Sequence, residues 1–204
     1  MSHYFDLDPA LESKPRIVKY SINGIDFELE SDLGVFSKDR LDYGSEVLIK
    51  SLLPLNLGKN ILDIGCGIGP IGLTIAYFQP SVNVVCSDVN TRALALCKKN
   101  ASKLDISKRV TCLQSDIYLE IEGKFHSIVS NPPIRAGKKV TYEIYSGAKD
   151  HLCERGSLYI VIRKAQGAKS VKDFLEQLFG NVTVLDRSKG YYVLKATKVS
   201  QKEI

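Results

Sequence analysis

Four acceptor-bearing residues recur in this chain just after short apolar runs: Asp63, Asp88, Asp116 and Asn131. The first opens the stretch Asp63-Ile64-Gly65-Cys66-Gly67-Ile68-Gly69-Pro70-Ile71-Gly72. An apolar run, an acid, a glycine-rich turn and an apolar segment opening on proline read as strand, tight loop and helix N-terminus. Glycines let a backbone turn sharply and approach a ligand closely. The unpaired N–H groups of the helix start suit an anionic ligand group. Gly67-x-Gly69-x-x-Gly72 also matches a dinucleotide fingerprint, with Asp88 about 20 residues on as a ribose acid. Asp88, in Cys86-Ser87-Asp88-Val89-Asn90, can accept from both hydroxyls of a ribose, and Asn90 can cap the next helix. Asp116, followed by Ile117, can accept from an adenine amine while Ile117 packs on the ring.

Asn131-Pro132-Pro133-Ile134 is the discriminating feature. Two prolines donate no N–H, and each restricts the residue before it, so the turn is stiff. It can offer the Asn131 side-chain oxygen and the Pro132 carbonyl as acceptors. Two acceptors suit an exocyclic amine: they hold its two hydrogens and aim the nitrogen lone pair outward. An in-line displacement by that nitrogen is a reaction for which alignment is most of what a protein must supply.

Positioning these residues requires alternating strands and helices. Strands are expected near 60–64, 82–87, 109–114, 125–130 and 157–162. Helices are expected near 70–78, 91–103, 140–153 and 167–178, and two further strands near 181–186 and 190–196. The alternation predicts an α/β domain whose mainly parallel sheet carries helices on both faces. In such sheets ligands bind at the C-terminal strand ends, where the four acceptors fall. Upstream, residues 1–15 read as an extended polar arm. Next, Asn23-Gly24 between alternating runs predicts a hairpin with Ile22 opposite Ile25, Tyr20 opposite Phe27 and Lys19 opposite Glu28. This unit could cover a site or bind a partner, a homodimer included. A loop over 34–45 contains Phe36, either a core plug or an aromatic lining a site. A helix from about Ser45 to Leu53 stops at Pro54.

Composition is that of an ordinary globular chain of 204 residues, 44% hydrophobic and 25% charged. Neither a membrane-spanning run nor a signal-peptide pattern is present, so a cytoplasmic location is expected. Five cysteines without a Cys-x-x-Cys pair and three scattered histidines give no metal-ligand spacing, so buried free thiols and no metal are expected. Residues 1–130 carry 14 basic and 16 acidic side chains, whereas 131–204 carry 14 and 7. That basic C-terminal third suits a nucleic-acid partner or a solvated surface.

Asp63-x-Gly65-x-Gly67-x-Gly69, Asp88, Asp116 and Asn131-Pro132-Pro133, in this order and spacing, resemble the motif series of class I S-adenosylmethionine-dependent methyltransferases. Ile134-Arg135-Ala136-Gly137-Lys138 resembles the small-subunit ribosomal RNA guanine-N2 methyltransferases and their single-domain relatives. So do Gly34-Val35-Phe36-Ser37, Leu41-Asp42-x-Gly44-Ser45, Gln166-Gly167-Ala168-Lys169 and Gly190-Tyr191-x-Val193-Leu194. The likeness runs from about residue 34 to 196. It implies a Rossmann-like fold with a seven-stranded sheet over 34–204, preceded by an arm and hairpin over 1–33. It implies S-adenosylmethionine as cofactor and S-adenosylhomocysteine as product. Asp63, Gly65, Cys66, Gly67 and Gly69 are then expected at the methionine part, Asp88 and Val89 at the ribose, and Asp116 and Ile117 at the adenine. Asn131 and the Pro132-Pro133 turn would hold the target amine at the junction of cofactor and substrate. Phe36 and Ile134 would lie near the base, and Arg135, Lys138 and Lys139 are candidates for phosphate contacts. The implied partner is ribosomal RNA or the small ribosomal subunit. The bacterial enzyme of that family has a second, N-terminal methyltransferase-like domain, whereas this chain has the arm and hairpin.

Three other readings bear on the same residues. Protein-glutamine and DNA adenine methyltransferases often carry Tyr, Phe or Trp after the two prolines, where this chain has Ile134. A nicotinamide-dependent oxidoreductase would use Tyr145-x-x-x-Lys149, a pair expected about once by chance from the Tyr and Lys content. A non-enzymatic RNA-binding or assembly factor would have no need of intact Asp63, Asp88 and Asn131.

Overall fold

The computed structural model describes residues 12–35 and 40–199. Phe36 and most of the N-terminal arm lie outside the described residues. The hairpin is present as β1 (Arg16–Ile22) and β2 (Ile25–Ser31), with Ile22, Tyr20 and Lys19 opposite Ile25, Phe27 and Glu28 as expected. Asn23 and Gly24 both take positive φ, as a two-residue primed turn requires, and this pins the register. Val18, Ile22, Phe27 and Leu29 are buried on the inner face, while Lys19 and Glu28 pair outside at 2.7 Å.

The main domain follows as α1 (Tyr43–Leu52), β3 (Asn60–Ile64), α2 (Pro70–Phe78), β4 (Asn83–Asp88), α3 (Thr91–Lys103), β5 (Val110–Gln114) and β6 (Phe125–Ser130). It continues as α4 (Lys138–His151), β7 (Leu152–Arg163), α5 (Ala168–Phe179), β8 (Thr183–Ser188) and β9 (Tyr191–Thr197). The seven strands are ordered β5-β4-β3-β6-β7-β9-β8. All neighbours are parallel except those of β9, which runs against both β7 and β8. Chain order reverses direction between β3 and β6, and this switch point opens a crevice at the C-terminal strand ends.

Local chemistry sets the helix starts. Asp42 caps α1 by accepting from the Ser45 N–H at 3.1 Å, and Asn90 caps α3 by accepting from Ala93 at 3.0 Å. Pro70 occupies the first turn of α2, where its missing N–H costs nothing. One discrepancy concerns β7. It begins at Leu152, directly after α4, rather than near 157. Arg155 takes φ +61° and the β6–β7 register shifts between Phe125 and Ser127, so an irregular lead-in precedes the regular run. The expected helix end at 153 correspondingly falls at His151.

Central strands alternate between two cores. Ile61, Val84, Tyr159 and Val161 face α1, α2 and α3; Leu62, Ile128, Leu158 and Ile160 face α4 and α5. Ile22 and Phe27 of the hairpin belong to the first of these cores, and Val18 and Leu29 pack on Ile68 and Ala93 beside the glycine loop. Asn100 of α3 ties the hairpin down: it bonds both the N–H and the carbonyl of Glu30, at 2.7 and 3.1 Å, and the Ile68 carbonyl at 3.2 Å. Among the described residues no helix is long and apolar enough to cross a membrane.

Candidate active site

A cavity of about 780 Å³ occupies the crevice. Its walls come from the ends of β3, β4, β5 and β6, the start of α1, and Gln166 and Tyr191 from the far side. Gly65, Cys66, Gly67, Asp88, Val89, Asp116, Ile117, Asn131, Pro132, Pro133, Ile134 and Arg135 all line it, so most of the expected site residues meet in one space. Asp63, Gly69, Lys138 and Lys139 are not on this wall. Lys138 lines a small neighbouring cleft of about 80 Å³ that shares Ile134 and Gln166 with the main cavity. Lys139 is exposed, with Glu143 at 3.9 Å.

Asp63 stands behind the glycine loop. It is fully buried and accepts from the Gly72 N–H at 2.8 Å, while its other oxygen has no partner among the described residues. Burial pushes its pKa up to about 7; the Gly72 bond opposes this and the charge of Asp88 adds to it. In this structure its visible task is to hold the loop and the start of α2.

Gly65 and Gly67 take φ +69° and +56°, left-handed values that a side chain disfavours. A Cβ on Gly67 would project into open space, and one on Gly65 would meet only Pro133 at 3.9 Å. The loop thus leaves a backbone-lined cradle. Asp88 forms its next wall, accepting from Gly67 at 2.8 Å and from Asn90 at 2.9 Å. Burial raises the Asp88 pKa against those N–H donors. Each carboxylate oxygen keeps lone-pair capacity for a hydroxyl. The buried Ser87 hydroxyl, also on the wall, has no partner among the described residues. Ile117 takes φ +53°, which sets it beside Asp116 at the other end. A backbone cradle, a diol-accepting carboxylate, an orphan hydroxyl, and an acid beside an apolar side chain fit an adenosyl amino acid.

The turn after β6 is stiff, as its prolines predict. Pro133 has φ −75° and ψ 79°, and the Ile134 N–H donates to the Pro132 carbonyl at 2.8 Å: an inverse γ-turn. That carbonyl retains a second lone pair. Asn131 donates through its amide nitrogen to the Asp42 carboxylate at 2.8 Å and to the Ser45 hydroxyl at 3.0 Å. A carboxylate only accepts, so the nitrogen must face Asp42, and the Asn131 oxygen is the atom left for a ligand.

Asp42, Ser45, Gln166 and Tyr191 also line the cavity; the sequence holds them in stretches that carry the family likeness, with no site role attached. A Cβ on Gly44 would stand 3.0 Å from both the Asp42 carboxylate and the Tyr191 ring, so this glycine permits their approach. Tyr191 packs edge-on to Tyr43 with ring centroids 5.6 Å apart, and the Arg163 guanidinium lies 5.7 Å from its centroid.

Comparison with known proteins agrees with this geometry. The methyltransferase small domain model matches residues 26–195. YbxB of Bacillus subtilis is 42% identical over 199 residues, spanning 97% of this chain and 98% of that protein. The ribosomal RNA small subunit methyltransferase C of Erwinia tasmaniensis is 35% identical over 169 residues, spanning 81% of this chain but 48% of the relative. The T. thermophilus 16S rRNA N2 methyltransferase, solved with AdoMet and guanosine, superposes with a TM-score of 0.81 at 25% identity, covering 93% of this chain and 52% of its own. The chain thus spans about half the length of the methyltransferase C relatives. It belongs to the methyltransferase small domain family and is an S-adenosylmethionine-dependent methyltransferase of class I fold.

Proposed function

We propose that this chain methylates the exocyclic N2 amine of a guanine in small-subunit ribosomal RNA. The observation that carries this reading is the Asn131 amide, whose nitrogen is spent on Asp42 and Ser45 and whose oxygen is left as an acceptor at the cavity. With the Pro132 carbonyl it would take the two hydrogens of a guanine amine and aim the nitrogen lone pair along the line of displacement. Gly65, Cys66 and Gly67 would hold the methionine part, Asp88 the ribose, and Asp116 with Ile117 the adenine; the bound cofactor supplies the methyl group as a sulfonium.

A guanine amine is conjugated and a weak nucleophile. Positive charge develops on it as the methyl arrives. The Asp42 carboxylate, one hydrogen bond behind Asn131, polarises the amide so that its oxygen stabilises that charge. The product nitrogen is acidic and loses its proton to water, so the scheme uses no general base. The target base must lie in a single strand or leave its stack to reach the pocket. Arg135 at the rim and Lys138 in the adjoining cleft would meet flanking phosphates. The names of the methyltransferase C relatives and of the guanosine complex support RNA and guanine as the acceptor class.

The test is a panel of acceptors with methyl-labelled S-adenosylmethionine: small-subunit rRNA, transfer RNA, duplex DNA and ribosomal protein. Label confined to rRNA is expected. Label in protein or DNA alone would refute the reading.

A further inference from the structure

Four of the five cysteines converge beneath the cofactor loop. Cys66 lies in that loop, Cys86 on β4, Cys97 on α3 and Cys112 on β5. The sulfurs of Cys66, Cys86 and Cys97 all lie within 4.8 Å of one another, and all three residues are buried. Cys112 is the register partner of Cys86 on the adjacent parallel strand, and its thiol interacts with that of Cys97. All four are free thiols. The loop backbone rests directly on this group: a Cβ on Gly69 would stand 2.6 Å from the Cys97 sulfur, and one on Gly72 would stand 2.8 Å from that of Cys86. The sequence hides the group because each thiol comes from a different element, with none of the short spacings that mark zinc motifs.

We propose that Cys66, Cys86 and Cys97 form a binding site for one thiophilic d10 cation, zinc(II) or copper(I), with Cys112 as the fourth ligand when the ion is tetrahedral. Metal–sulfur bonds of about 2.3 Å place thiolates roughly 3.8–4.0 Å apart in tetrahedral or trigonal geometry. The observed spread of up to 4.8 Å closes to that with a shift of about 1 Å at the longest pair. An all-sulfur set selects soft ions and rejects magnesium or calcium, which take oxygen ligands. Cys66 lines the open cofactor cavity, which supplies the entry path. On binding, each ligating thiol loses its proton to solvent and forms a sulfur–metal bond; no electrons are transferred.

The experiment is an anaerobic titration of the fully reduced, metal-free protein with cadmium, then with zinc in competition. The thiolate-to-cadmium charge-transfer band reads sulfur ligation directly and is independent of methyl transfer. Saturation at one equivalent per chain, weakening of the band only in excess zinc, loss of the band in Cys97→Ala and its retention in Cys153→Ala are expected. Cys86→Ala serves as a second variant if Cys97→Ala does not fold by circular dichroism. No band in wild-type protein whose five thiols are shown to be reduced, or a band that survives both cluster variants, would overturn the proposal.

Discussion

The Asp42 carboxylate accepts a 2.8 Å hydrogen bond from the Asn131 side chain across 89 residues of sequence. The same oxygen caps α1 through Ser45, so one carboxylate joins the start of that helix to the turn that carries the proposed acceptors of the target amine. Substituting Asp42→Ala removes both functions. We expect kcat to fall by about 10–100-fold, since small misplacements of a reacting group are costly. Loss of the cap should cost about 1 kcal/mol of stability. Affinity for S-adenosylmethionine should stay within about twofold, as Asp42 bonds Asn131 and the start of α1 rather than the glycine loop or Asp88. Asp42→Asn keeps an oxygen for Asn131 and should recover part of the rate. Calorimetric cofactor affinities beside steady-state rates would check this; a loss in affinity with unchanged kcat would contradict the role.

Gly44→Ala tests the crowding behind that carboxylate. Alanine favours a helix over glycine by about 1 kcal/mol. Here the added methyl would press on Asp42 and Tyr191 at 3.0 Å each. We expect reduced turnover with no gain in melting temperature. A stabilised, fully active variant would show that the two side chains yield freely.

Asp88→Ala removes the acceptor of the Gly67 and Asn90 N–H groups and the proposed ribose acceptor. Cofactor affinity should drop at least tenfold, about 1.4 kcal/mol, because hydrogen bonds to charged groups contribute about 1.5–3 kcal/mol. Binding measured with S-adenosylhomocysteine gives the answer without turnover.

Asp63 makes stability pH-dependent. Its pKa rises from 3.8 to about 7 on folding, so the folded chain holds this proton more tightly than the unfolded chain. Stability is therefore lost as pH climbs through that window and is level above it. Asp63→Asn lacks this titration. Its stability relative to wild type should improve between pH 4 and 7, by roughly 4 kcal/mol at about 1.4 kcal/mol per unit. Urea unfolding at a series of pH values measures it; a constant difference would contradict the burial argument.

Asn100→Ala strands the Glu30 and Ile68 backbone groups that this fully buried side chain satisfies. A loss of about 2–4 kcal/mol is expected, with hydrogen exchange rising first in β1 and β2.

Much of this architecture is legible in the residues because local rules agree with the global fold. Asn23-Gly24 determines the hairpin register through its turn type, and the acids at or just past the ends of β3, β4 and β5 share an end because parallel strands share a direction. The Pro132-Pro133 turn is legible because proline removes alternatives. Other features depend on long-range meetings. Asp42 is fully explained locally as a helix cap, and only the fold brings Asn131 to it. Asp63 occurs in the expected motif, yet its side chain turns behind the loop to Gly72 rather than onto the cavity wall. Gln166 and Tyr191 reach the cavity from beyond β7. The early start of β7 rests on Leu152 pairing with Phe125 across an irregular stretch that holds Arg155 in a left-handed conformation, which no hydrophobic pattern announces.

The central claim, N2 methylation of guanine in ribosomal RNA, is tested most directly by identifying the modified nucleoside. Unmodified small ribosomal subunits and naked 16S rRNA are incubated with the protein and methyl-labelled S-adenosylmethionine, and the RNA is digested to nucleosides and separated. The account predicts label in N2-methylguanosine, greatly reduced with Asn131→Ala. Label in N6-methyladenosine, or transfer that Asn131→Ala leaves intact, would contradict it.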